Sequence, residues 1–178
     1  MARNIEIKAR IEGIEQLEPR VAALAQHGPE LIAQDDTFFR CDNGRLKLRA
    51  FSDAAGELIF YRRADQAGPK ESFYVRSPTA EPAVLRDVLT LAHGQAGRVR
   101  KQRTLYLVGR TRVHLDRVEG LGDFLELEVV LRDGEAAEAG VAEAHALMAQ
   151  LQVSAGQLVE WAYVDLLHEP GTDRGRRS

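Results

Sequence analysis

The stretch Asn4-Ile5-Glu6-Ile7-Lys8-Ala9-Arg10-Ile11-Glu12 alternates without a break. Ile5, Ile7, Ala9 and Ile11 fall on one side; Asn4, Glu6, Lys8, Arg10 and Glu12 fall on the other. A strand sends successive side chains to opposite faces, whereas the 3.6-residue turn of a helix would mix the two sets. These residues therefore form a strand with one apolar face and one ionisable face, and the fold turns on where the ionisable face goes.

The same two-sided pattern returns along the chain. Arg45, Lys47 and Arg49 alternate with Leu46, Leu48 and Ala50, and Phe124, Glu126, Glu128 and Val130 alternate with Leu125, Leu127, Val129 and Leu131. Further strands are expected over 33–41, 57–63, 72–76, 98–109 and 111–119. They are separated by turn signals at Asp42-Asn43-Gly44, Ala55-Gly56, Gly68-Pro69 and Gly109. About eight strands, mostly hairpin-connected, imply mostly antiparallel pairing. Helical spacing predicts four helices. The first, over 14–27, carries Ile14, Leu17, Val21, Leu24 and Ala25 and ends at Gly28-Pro29; the second, over 80–93, has Thr79 as its cap and Pro82 in its first turn. The others cover 136–152 and 155–168, with Met148 and Trp161 on their core stripes. The reading is a single domain over 1–169 and a disordered Gly- and Arg-rich tail over 170–178.

Composition narrows the chemistry. The chain has 178 residues, 44% hydrophobic and 29% charged, which is a globular balance. Its formal charge of −3 excludes a generic polyanion binder, so any affinity for phosphate must come from local grouping of charge. A single cysteine, Cys41, excludes an internal disulfide and a Cys-cluster zinc site. There is no apolar run of the roughly 20 residues that span a bilayer. Residues from Met1 onward lead straight into the alternating pattern, so a cytoplasmic protein with no membrane partner is expected.

Two destinations are open to the charged rows. One is solvent, as in an ordinary half-exposed sheet. The other is an enclosed interior. Grouping of signs favours the second: Arg45, Lys47 and Arg49 have no acid among them, Arg98, Arg100, Lys101 and Arg103 likewise, and Asp123, Glu126 and Glu128 have no base. Like charges side by side are unfavourable on a face that serves solubility alone. Eight strands suffice to close a barrel, and helices can cover its apolar outside. The expected fold is α+β: a closed eight-stranded antiparallel β-barrel with amphipathic helices packed on the outside. Enclosed bases need an anionic partner, and a polyphosphate with bound hard cations satisfies both bases and carboxylates.

Asn4-x-Glu6-x-Lys8 resembles the Glu-x-Glu-x-Lys signature of CYTH domains, the triphosphate tunnel metalloenzymes, which include class IV adenylyl cyclases and triphosphatases. The resemblance continues, in order, through Arg45-Leu46-Lys47-Leu48-Arg49, Tyr61-Arg62, Arg100-Lys101-Gln102-Arg103, His114-Leu115-Asp116, the run Glu119 to Glu128, and Ala162-Tyr163-Val164-Asp165. It implies a tunnel that binds a triphosphate-containing small molecule with Mg²⁺ or Mn²⁺. By position, Glu6, Glu126, Glu128 and Asn4 would hold metal. Lys8, Lys47, Arg49, Arg62, Lys101, Arg103 and Arg112 would bind phosphate. Glu6, Lys8, Asp116 and Glu126 would carry catalysis, and His114 shares the face of Asp116. The implied activity is class IV adenylyl cyclase-like or triphosphate phosphohydrolase. The signature's first Glu is Asn4 here, a neutral ligand, and this favours an alternative, a non-catalytic module for polyphosphate or an RNA 5′-triphosphate. Nucleic acid is otherwise not an expected partner, since the basic run 98–112 lacks interleaved aromatics. A homodimer is compatible with the sequence.

Overall fold

The computed structural model describes residues 2–168; the end of the domain at 169 and the tail expected over 170–178 lie outside the described residues. The chain runs β1 (Ala2–Arg10), α1 (Ile14–Leu24), β2 (His27–Phe39), β3 (Arg45–Ser52), β4 (Ala55–Arg63), β5 (Lys70–Thr79), α2 (Pro82–His93), β6 (Gln95–Val108), β7 (Thr111–Val118), β8 (Gly122–Val130), α3 (Ala137–Leu151) and α4 (Tyr163–His168), with a 3₁₀ turn at Ala155–Gln157 before the last helix. The eight strands close into a barrel in the order β1-β5-β4-β3-β2-β6-β7-β8. All eight neighbour pairs are antiparallel; hairpin turns impose this on the five sequential pairs, and β1–β5, β1–β8 and β2–β6 follow suit.

The alternation in β1 now has its cause. Ile5, Ile7 and Ala9 point outward and pack with Val113, Leu115, Leu125, Leu127 and Val129 of the neighbouring strands beneath α1 and α3, through Leu17, Val21, Leu147 and Leu151. Fully burying each large aliphatic side chain contributes about 1.5–3 kcal/mol, so this wall is the scaffold on which the enclosed charges are held. Helix α3 comes close because residue 140 is glycine: a Cβ there would meet Ile5 Cγ1 at 2.6 Å and Leu131 Cδ2 at 2.7 Å.

A second apolar layer closes one end of the barrel. Phe38, Val99, Val118 and Phe124 extend the inward rows, and Ala162, Tyr163, Val164 and Leu166 of the C-terminal segment pack against them. Arg45 clamps α4 by donating from Nη1 and Nη2 to the Asp165 carboxylate at 2.9 and 2.6 Å.

The structure corrects several local expectations. Helix α1 ends at Leu24, and Gly28-Pro29 lies inside the much longer β2, at a register shift against β6. Gly28 sits at φ +112°, and a Cβ there would meet Leu105 O at 2.7 Å, so this glycine serves a bulge rather than a helix stop. The helix expected over 155–168 is a 3₁₀ turn followed by one short helix. Trp161, expected in the core, is 43% exposed between them, while Met148 is buried. The apolar stripe of α2 covers its wall only in part: Val84 and Val88 are more than half exposed. Thr79 does not cap α2; its Oγ1 accepts a hydrogen bond from Glu81 N, and Pro82 opens the helix.

Candidate active site

The charged rows face a cavity of about 250 Å³ inside the barrel. Among its lining residues, eight Lys or Arg (Lys8, Lys47, Arg49, Arg63, Arg76, Lys101, Arg103, Arg112) stand against five carboxylates (Glu6, Asp36, Glu57, Glu126, Glu128). A chain with an overall formal charge of −3 thus carries three more basic than acidic groups on the wall of its own interior.

Two carboxylates hold the basic wall in place. Asp36 on β2 accepts from Arg49 Nε and Nη2, both at 2.8 Å, and from Lys47 Nζ at 3.0 Å. Burial pushes the Asp36 carboxyl upward, but Arg49 and Lys47 outweigh it and hold the group well below the usual carboxylate range. Asp116 on β7 accepts from Arg103 Nε at 2.7 Å and Nη2 at 2.6 Å. The Tyr163 hydroxyl donates to the same carboxylate at 2.9 Å. In both guanidinium groups the carboxylate takes Nε–H and one Nη2–H, so both N–H of Nη1 and the second of Nη2 are left for a ligand.

The lysines are less satisfied. Burial first, then the neighbouring Arg103, pushes the Lys101 ammonium down to about 7. Burial lowers Lys8 to about 8 despite the opposing charge of Glu126. Lys8 lies 3.9 Å from the centroid of the Tyr163 ring and donates to the Trp161 carbonyl at 3.3 Å. Each would regain its charge beside an anion.

The acidic wall is built by strand register. Glu6 stands directly opposite Glu128, and Lys8 opposite Glu126, across β1 and β8; His114 pairs with Glu126, and Arg112 with Glu128, across β7 and β8. Two facing carboxylates repel unless a cation intervenes. Here Arg63 contacts Glu6, and Arg112 Nη2 lies 2.8 Å from Glu128 Oε2. Burial raises the Glu128 carboxyl even so. Glu126 is held well below its usual range: burial opposes ionisation, but Lys8 and Arg103 prevail.

Donor chemistry fits a divalent cation. His114, Glu126 and Glu128 each present a ligand atom within 4.8 Å of the others. Asn4 Oδ1 and His114 Nδ1 are buried with no hydrogen-bond partner among the described residues, which is costly for a polar atom unless a ligand satisfies it. Burial and the nearby Arg103 hold the His114 imidazole neutral, with a lone pair to offer.

Most residues expected at the site converge. Asn4, Glu6, Lys8, Lys47, Arg49, Lys101, Arg103, Arg112, Glu126 and Glu128 all line the cavity, as does His114. Arg62 does not: it faces outward, its Nε donating to Asn43 O at 2.7 Å, and Arg63 takes the inward place. The β4 run Glu57 to Arg63 carries apolar residues on both faces and ends in two adjacent arginines, so its phase could not be read from the sequence. Asp116 is fully buried behind Arg103 and does not line the cavity, so it orients that guanidinium. Asp123 leaves the acidic row altogether; it accepts from Ile14 N at 3.0 Å at the start of α1 and pairs with Arg117. Arg98 and Arg100 also face out, both toward Asp35. The sequence reading missed Asp36, Arg63 and the contact of Tyr163 with Asp116. Asp36 alternates with Gln34 and Phe38, which was a usable signal; the Tyr163 contact spans 47 residues and left none.

Known proteins agree with this architecture. Adenylate cyclase CyaB of Aeromonas hydrophila is 26% identical over 140 residues, covering 73% of this chain and 70% of that one. The PH1012 protein of Pyrococcus horikoshii OT3 superposes with a TM-score of 0.82 at 21% identity, covering 92% of this chain and 98% of that chain. HpAC1 from Hippeastrum, whose structure is described as revealing a dominant triphosphatase activity, gives a TM-score of 0.61 at 15% identity, covering 94% of each chain. The CYTH domain model matches residues 2–163, and this chain belongs to the CYTH domain family.

Proposed function

We propose that this protein is a divalent-cation-dependent enzyme that draws a triphosphate chain into the barrel and cleaves it, as a class IV adenylyl cyclase-like enzyme or a triphosphate phosphohydrolase. The observation that carries this reading is the cavity wall of eight Lys or Arg, all but Arg76 largely enclosed, against five carboxylates, two of its lysines pushed down to about 7 and 8. Its arginines are paired with carboxylates, but its excess of bases over acids and its two depressed lysines are compensated only when a multiply charged anion enters.

The residues divide the work. The free N–H groups of Arg49 and of Arg103, with the ammonium groups of Lys8, Lys47 and Lys101, bind phosphate oxygens, and Arg112 contributes where its pairing with Glu128 is exchanged for a ligand. Asp36 and Asp116 fix the guanidinium planes before substrate arrives, so charge developing on the transferring phosphoryl group meets oriented donors. Glu6, Glu126 and Glu128, with the Asn4 carbonyl, would hold Mg²⁺ or Mn²⁺. When bound, that ion supplies Lewis-acid neutralisation of the phosphate oxygens. Attack by water on the terminal phosphorus gives hydrolysis; attack by a ribose hydroxyl on the α-phosphorus gives a cyclic nucleotide and pyrophosphate.

Incubating the protein with ATP, inorganic triphosphate and thiamine triphosphate, each with Mg²⁺ and with Mn²⁺, tests the proposal. Cation-dependent product from at least one substrate is expected, and the product identifies the reaction. Asn4 favours a second reading, a non-catalytic module for polyphosphate or an RNA 5′-triphosphate, because its buried Oδ1 offers no charge to a metal. Tight binding without product in every combination would establish that reading instead.

A further inference from the structure

We propose that His114 is a metal ligand of this site, a ring nitrogen joining the carboxylates of Glu126 and Glu128, and that this nitrogen makes the site prefer Mn²⁺ or Co²⁺ over Mg²⁺. The inference rests on the proposed function only in assuming that the acidic wall holds a cation.

Geometry comes first. The three ligand atoms lie within 4.8 Å of one another. Ligands about 2.1 Å from one ion stand about 3 Å apart in cis and about 4.2 Å in trans, so a small rotation of side chains closes the set. Strand register supplies the convergence: His114 faces Glu126 across β7 and β8, and Glu128 is two residues along the same inward row.

The second observation is independent of the carboxylates. His114 is only 4% exposed, lines the cavity, and leaves Nδ1 without a hydrogen-bond partner among the described residues. The nearest acidic atom, Glu128 Oε1, is 3.9 Å away, too far for a hydrogen bond but placed to share an ion. A structural histidine in a core has both ring nitrogens satisfied or one turned to water. This one leaves Nδ1 unpartnered beside the Glu128 carboxylate.

The chemistry then sets the preference. Mg²⁺ takes oxygen ligands in near-ideal octahedral geometry and gains little from imidazole, whereas Mn²⁺, the lowest of the first-row series, and Co²⁺, higher in it, both accept nitrogen better than Mg²⁺ does. Asn4 strengthens the bias: a neutral amide at the end of the acidic row reduces the negative charge on which a hard ion depends.

The test reads metal binding directly, without substrate. Metal-free protein is titrated calorimetrically with MgCl₂, MnCl₂ and CoCl₂, and the Mn²⁺-loaded protein is examined by electron spin-echo envelope modulation. Mn²⁺ is expected to bind about tenfold or more tightly than Mg²⁺, with ¹⁴N modulation from a directly ligated imidazole. His114→Ala should remove the modulation and weaken Mn²⁺ by about tenfold while changing Mg²⁺ by less than about threefold. His114→Gln, which keeps volume and polarity, should behave alike, and the wild-type spectrum serves should either variant fail to fold. Absence of ¹⁴N modulation, equal affinity for Mg²⁺ and Mn²⁺, or unchanged Mn²⁺ affinity in a folded variant overturns the assignment. Triphosphate cleavage by a protein with no ¹⁴N modulation would refute His114 and leave the proposed function standing. Clear modulation with no triphosphate bound or cleaved would support His114 and remove the function.

Discussion

Triphosphate entry should be measurable as uptake of protons by Lys101 and Lys8. In the free protein burial pushes Lys101 down to about 7 and Lys8 to about 8. At pH 8 Lys101 is then about one-tenth protonated and Lys8 about half. A polyphosphate beside them favours the charged form of both, so these two lysines should draw in about 1.4 protons at pH 8 and only about 0.1 at pH 6. ATP suits the measurement at pH 8, where its phosphates are already ionised. Titration calorimetry with EDTA present, in buffers of different ionisation enthalpy, yields the proton count from the slope of observed enthalpy. Affinity should fall as pH rises, since the protonated lysine is the binding form, with a slope of log K near −1.4 per pH unit at pH 8. Lys101→Met should reduce the uptake to about 0.5. Stability of the free protein moves the opposite way. The unfolded chain holds more protons than the folded one between the depressed folded values and the ordinary lysine value of 10.5, so stability rises with pH from about 7. An enthalpy independent of buffer at pH 8, or uptake unchanged in Lys101→Met, would refute the reasoning.

Arg62 and Arg63 give a matched pair. Arg63→Ala strands the buried Glu6 carboxylate and should cost about 3 kcal/mol in urea unfolding, whereas Arg62→Ala on the outer face should stay within about 0.5 kcal/mol. Glu126→Gln should lower triphosphate turnover by about a hundredfold and abolish its dependence on cation concentration; unchanged kinetics would remove Glu126 from the metal site. Gly97→Ala places a methyl group against Val164 and should lift α4 from the barrel end, costing about 1–3 kcal/mol by thermal denaturation and speeding amide exchange over 163–168.

The sequence alone settled the strands whose two faces differ in chemistry. In β1 and β3 the contrast between aliphatic and ionisable rows is sharp, and in β8 one row is wholly aliphatic, so period and phase were both legible, and with them Glu6, Lys8, Lys47, Arg49, Glu126 and Glu128. In β4 both faces carry apolar residues, which left the phase open and allowed Arg62 to stand where Arg63 belongs. Closure of the barrel decided what no local pattern holds: that facing rows share one interior, that Asp36 and Asp116 each anchor an arginine, and that Tyr163 reaches Asp116 from the far end of the chain. Hydrophobic alternation is a local property of a few residues, whereas the ionisation and partners of an enclosed charge depend on every strand that surrounds it.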